Sequence, residues 1–236
     1  MTPLQLIQAA GPVLWAILAL SLYVVYVFFL HLQVLLRLGR DSRLLLTRVH
    51  AAIMHGDLVG ALREVRREKS AVANVLRAGL ERAEVGGTEA ALNEAVQYEE
   101  TRLFRPLGSL GTAAQIGPLL GLLGTVIGMI RSFLVFAQSP DPTPGQLSTG
   151  ISEALVNTAA GLIVAIVAYL ARNYLRSRAE SVLLEADRVR EALPAWLAEA
   201  QLRREGRLRG APAPLYEPDR VEETLVRATP NPKEGT

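Results

Sequence analysis

Residues 117–129 read GPLLGLLGTVIGM, from Gly117 to Met129, and this stretch decides the architecture. It is apolar enough for lipid, yet Gly117, Gly121, Gly124 and Gly128 recur at spacings of four, three and four. On an α-helix these four glycines form one narrow stripe, with Thr125 at its edge. Glycine costs a helix in water about 1 kcal/mol per residue relative to alanine. In a membrane it lets two backbones approach closely, so the stripe marks a helix-packing face. Thr125 has two readings. A threonine in a membrane helix satisfies itself by bonding a carbonyl three or four residues back, or its hydroxyl lies beside a polar path.

Outward from this stretch, charge is segregated. The chain has 236 residues, of which 50% are hydrophobic and 20% charged. No Asp, Glu, Lys or Arg precedes Arg37, none lies between Arg105 and Arg131, and none between Glu153 and Arg172. Each gap has room for a helix close to the roughly 20 residues that span a bilayer. The expected fold is therefore an all-α integral membrane protein with three transmembrane helices, at 11–36, 107–137 and 151–175. Arg37, Arg40, Arg43 and Arg48 follow the first span, Arg102 and Arg105 precede the second, and Arg172, Arg176 and Arg178 follow the third. The turn at 138–150 has no Lys or Arg. The positive-inside rule places the Arg-rich segments in the cytoplasm, with that turn and the N-terminus outside. The first span lacks the basic n-region of a secretory signal and is expected to be retained.

The expected organisation is an outer segment at 1–10, a cytoplasmic helical insert at 37–106, a periplasmic turn at 138–150, a cytoplasmic helical extension at 176–209, and a disordered, Pro-rich tail at 210–236. Within the insert, Gly56-Asp57 and Gly86-Gly87 are the expected breaks and Thr88 the expected N-cap. From there one helix can rise into the second span, with Pro106 a possible kink site. Pro194 is expected to interrupt the extension of the third span.

On the third span Ala154, Thr158, Gly161, Ala165 and Ala168 share one face, again small residues with one hydroxyl. Glu153 and Asn157 lie one turn apart on an adjoining face. Asn157 is costly in hydrocarbon and is expected to face protein or water. Glu153 is either a carboxylate favoured by the dipole at a helix N-terminus or an acid at the outer mouth of a polar path. Neither the second nor the third span carries an ionisable residue at mid-depth, where membrane proton relays use Asp, Glu or His. If this protein moves protons, the titrating group must therefore come from another chain. Thr125, Thr158, Asn157 and Glu153 are the candidate channel-lining residues, and Gly117, Gly121, Gly124, Gly128 and Gly161 the helix-packing ones.

Other chemistry is unsupported. The chain has no cysteine, which removes disulfides and thiolate metal sites. His50 and His55 fall on different helical faces, outside zinc-ligand spacing. His31 is expected at the interface and Arg131 to snorkel outward. There is no P-loop, GxSxG elbow or HExxH, so no enzyme, metal or cofactor is expected. A formal charge of +2 gives no reason to expect nucleic acid.

The segment 117–126, GPLLGLLGTV, together with GISEAL at 150–155 and TAAGL at 158–162, resembles the ExbB/TolQ family, relatives of the flagellar stator protein MotA. A looser likeness covers VLRAGL at 75–80, and Asn173 closes the third span as is common in the family. The resemblance implies a homopentamer in the bacterial inner membrane whose second and third spans line a pore. It further implies an ExbD/TolR-like single-span dimer supplying an intramembrane Asp, and a TonB/TolA-like protein on which the proton motive force does work. It matches Thr125, Thr158 and Glu153 to functional polar positions. Three spans fit this branch better than a four-span motility stator. The rival reading is a membrane scaffold without ion conduction. Val167 stands where the family commonly has proline, Asn157 where a small apolar residue is commoner, and Arg131 where a neutral one is usual.

Overall fold

The structure, a computed structural model, describes residues 11–39, 42–139, 141 and 143–207. The expected outer segment, the 210–236 tail and Arg40 lie outside the described residues. Among the described residues there is no strand. The elements are α1 (Gly11–Leu38), α2 (Arg43–Met54), α3 (Leu58–Arg66), α4 (Ala71–Arg82), α5 (Thr88–Gln138) and α6 (Pro144–Arg204). Three of them, α1, α5 and α6, include stretches long and apolar enough to cross a membrane.

With 51 and 61 residues, α5 and α6 are far longer than a span requires. At 1.5 Å per residue they reach about 75 and about 90 Å, against a hydrocarbon core of about 30 Å. Each therefore has an apolar half and a charged half. The two run antiparallel as a hairpin, pairing Gly117 with Gly161, Gly128 with Ala154, and Ser132 with Gly150. Helix α1 lies along both: Gly11 abuts Glu153, His31 meets Leu103, and Gly39 meets Val182. The buried cluster formed by the three helices includes Ile17, Val24, Leu103, Leu110, Val164, Ala168 and Leu175.

The charged halves carry a second core. There α2, α3 and α4 pack Val49, Ile53, Val65, Val75 and Leu76 against Leu92 and Val96 of α5 and Val189 and Leu193 of α6. The breaks between these helices are local. Gly56 (φ +76°), Gly86 (φ +93°) and Gly87 (φ +81°) adopt left-handed conformations that glycine tolerates best. Asp57 caps α3 by accepting from Gly60 N at 2.8 Å. Gly87, not Thr88, is the N-cap of α5. A break preceding α4 is not apparent from apolar spacing; there the Ser70 hydroxyl oxygen accepts from Ala73 N at 3.1 Å.

Pro194 does not interrupt α6, which continues to Arg204. Proline removes one ladder hydrogen bond, but packing here outweighs that loss. Leu193 and Ala200 are buried, and Trp196 meets the His50 ring edge-on at 5.1 Å. The helix likewise continues through Pro106 and Pro118 in α5.

Candidate functional site

The glycine stripe of α5 faces the small-residue face of α6, and the contact is between backbones. A Cβ on Gly117 would lie 2.9 Å from the Gly161 carbonyl oxygen, and one on Gly121 3.0 Å from Thr158 Cα. A Cβ on Gly161 would lie 2.5 Å from the Gly117 oxygen and 3.0 Å from Gly121 Cα. Gly124 leaves room for Asn157, whose Cβ a methyl there would strike, and a Cβ on Gly128 would lie 3.0 Å from Ala154 Cβ. The seam is closed at one end by Ser132, whose hydroxyl donates to the Leu147 carbonyl at 2.9 Å.

The polar residues take distinct places on this seam. Thr158 donates its hydroxyl across it to the Gly121 carbonyl at 3.1 Å. That bond uses a carbonyl the absent side chain leaves approachable. Thr125 sits on the flank and donates to its own helix, to Leu122 O at 2.6 Å. A threonine hydroxyl has one hydrogen and two lone pairs. With both hydrogens committed to carbonyls, the two oxygens present only acceptor lone pairs to anything outside. Asn157 is enclosed beneath Gly124 and buried.

Glu153 belongs to a different arrangement from the one its position near residue 151 implies. Helix α6 begins at Pro144, so Glu153 stands in its third turn, beyond the reach of the N-terminal dipole. Its Oε1 instead accepts from Arg131 Nη1 of α5 at 3.3 Å. Arg131, expected to snorkel outward, is paired here with Glu153. Gly11, with φ +68°, abuts this pair, and a Cβ there would collide with Glu153 Oε1 and lie 3.1 Å from Arg131 Nη1. Sequence alone does not state this pairing, but it carries the signal. Arg131 is the first charge after the apolar run of α5, Glu153 is the last before that of α6, and an antiparallel hairpin brings such residues level.

At the opposite end, His31 is buried against α5, and its Nε2 donates to Leu103 O at 2.9 Å. Below it, Glu99 is also buried and accepts from Asn74 Nδ2 at 2.7 Å, joining α4 to α5 between the two cores. From Pro106 through Ile130, and from Ala154 through Ala171, neither helix contributes an ionisable acid, histidine or base.

The family model of the MotA/TolQ/ExbB proton channel family matches residues 67–188, just over half of the chain. The chain belongs to this family. It is therefore a proton-channel, energy-transducing subunit and a multi-pass membrane protein, not an enzyme. A biopolymer transport protein ExbB homolog of Methanothermobacter thermautotrophicus is 26% identical over 98% of this chain and 83% of the relative. The Tol-Pal system protein TolQ of Haemophilus influenzae is 36% identical over 42% of this chain and 43% of that protein. The biopolymer transport protein ExbB of Xanthomonas campestris pv. campestris is 34% identical over 41% of this chain and 38% of its own length. The TolQ and ExbB matches thus span less than half of those relatives.

Proposed function

We propose that this chain is the stator-like channel subunit of an inner-membrane motor that couples the proton motive force to work on a TonB/TolA-like protein. In this reading the N-terminus and the 138–150 turn are periplasmic, and the Arg-rich halves of α5 and α6, with α2 to α4, are cytoplasmic. That orientation rests on the absence of Lys and Arg from the turn and their abundance at the other ends of the spans. Spans α5 and α6 of five copies enclose a pore, and a dimer of ExbD/TolR-like single-span partners occupies it.

The observation carrying this reading is a well-packed hairpin with hydroxyls but no mid-span ionisable group. A proton crossing here needs a carrier, and a partner's intramembrane Asp supplies one. Thr125 and Thr158 offer lone pairs that accept a hydrogen bond from the protonated Asp, easing its passage through a low-dielectric region. Asn157 backs the wall from within the seam, and Glu153 stands at the outer mouth. The glycines set the helix separation that holds these groups at fixed distances. Val167, with no proline to bend α6, leaves that wall straight-laddered through its middle.

The scaffold reading draws on one observation, that both threonine hydroxyls are satisfied within the chain. Two measurements separate the readings. Purification of this chain from membranes is expected to bring with it a single-span protein, encoded beside it, that carries an intramembrane Asp. Thr158→Ala in the co-purified complex is expected to cut proton flux at least tenfold while assembly persists. Unchanged flux in that variant rejects the channel role of Thr158, and a complex lacking any such partner rejects the motor.

A further inference from the structure

The Arg131–Glu153 pair closes the apolar runs of α5 and α6 at one level, at the outer end of the glycine seam. Three helices converge on it. Arg131 comes from α5, Glu153 from α6, and the first turn of α1 packs against the pair through Gly11. The two partners are unequally covered: the Glu153 side chain is 12% exposed and that of Arg131 50%. Arg131 also lies among the exposed apolar residues Ile130, Phe133 and Leu134. Its guanidinium pairs with the Glu153 carboxylate beside these exposed apolar side chains.

We propose that Arg131 is a positioning residue that latches Glu153 to α5, withholding the carboxylate from the outer mouth of the path until the pair opens. This rests on the channel reading above and adds a regulatory element to the same site. The enclosed carboxylate cannot swing away while Gly11 blocks one side and the guanidinium holds Oε1. The half-exposed arginine is the member that moves. While closed, the pair cancels charge at the mouth and offers little attraction to an incoming cation; once open, it presents a carboxylate. Because half of the arginine side chain is uncovered by the chain at the outer end of the span, dissolved salt competes with the pair.

The test is proton uptake into phosphatidylcholine vesicles containing the complex purified through this chain, followed with an enclosed pH-sensitive dye from about 0.05 to about 0.5 M salt. The wild-type rate is expected to rise by about two- to fivefold over this range, the population change an ion pair of this exposure supports. Arg131→Gln is expected to start at the raised rate and respond little to salt, while Arg131→Lys keeps the wild-type response. A merely structural arginine would lower complex yield without flattening the salt response. An Arg131→Gln complex that keeps the wild-type salt dependence overturns the latch and leaves the channel reading intact. Proton uptake that is unchanged when the partner's intramembrane Asp is replaced by Asn overturns the channel reading itself, and the latch with it.

Discussion

Helices α5 and α6 meet twice, and the two meetings use opposite materials. In the charged halves, Leu92 and Val96 face Leu193 and Val189, with Leu76 of α4 wedged among them, so branched side chains fill the space. In the apolar halves, Gly117, Gly121 and Gly161 bring main chain against main chain. Water explains the first arrangement. Burying a leucine away from water stabilises by about 1.5–3 kcal/mol, which makes large side chains the effective contact. Lipid removes that incentive, because hydrocarbon solvates leucine as well as protein does. What then holds helices together is close van der Waals contact and cross-helix bonds such as Thr158 to Gly121 O, both of which small residues favour. Glycine at the seam is therefore structural for the same reason that it would be a weakness one half-helix away.

The contrast can be broken most strongly at Leu76, which is fully buried in the charged-half core. Leu76→Ala is expected to cost about 2–5 kcal/mol, seen as early loss of that core in chemical denaturation while the apolar hairpin stays protease-resistant. Simultaneous loss of both regions would mean that they are one cooperative unit. A paired substitution sharpens the comparison at smaller scale. Gly161→Ala puts a methyl 2.5 Å from the Gly117 carbonyl oxygen, so the backbones must part, and a loss of about 1–3 kcal/mol in detergent thermal stability is expected. Gly79→Ala meets the tips of Leu193 and Leu92 at 2.5 and 2.7 Å. Leu92 Cγ, at 3.1 Å, must give as well, but the clash is with side chains rather than main chain and alanine's better helix propensity returns about 1 kcal/mol, so the net loss should be smaller than at Gly161.

The smallest effect concerns pH and only the charged half. Burial pushes the His50 imidazole below its ordinary value; Glu199 draws it back up, and Arg203 lowers it further. A histidine whose folded pKa is depressed stays neutral while the unfolded chain takes a proton. Stability is thus fully present above the ordinary value of about 6.5 and declines as pH falls from there toward the folded pKa. Trp196 at the His50 ring reports on it, so in a Trp15→Phe background its fluorescence should signal easier unfolding below about pH 6.5. His50→Gln should remove that pH dependence.

Much of this was legible because it is written in periodicity. The charge-free runs located three apolar helices, and the four-three-four glycine spacing marked the face of α5 on which α6 lies. What was not legible depended on partners distant in sequence. Pro194 reads as a helix breaker until Leu193 and Trp196 are seen packed on either side of it. Glu153 reads as a first-turn residue until Pro144 is seen to start the helix. The Arg131–Glu153 and Asn74–Glu99 contacts span 22 and 25 residues, and only the hairpin and the α4–α5 packing bring them together.

The central claim is that the α5–α6 seam forms a wall for a proton carried by another chain. Proton uptake by vesicles holding this chain alone, compared with vesicles holding it together with its co-purified single-span partner, tests that most directly. Flux is predicted only when the partner is present and to vanish when the partner's intramembrane Asp is replaced by Asn. Equal flux from this chain alone would contradict the account.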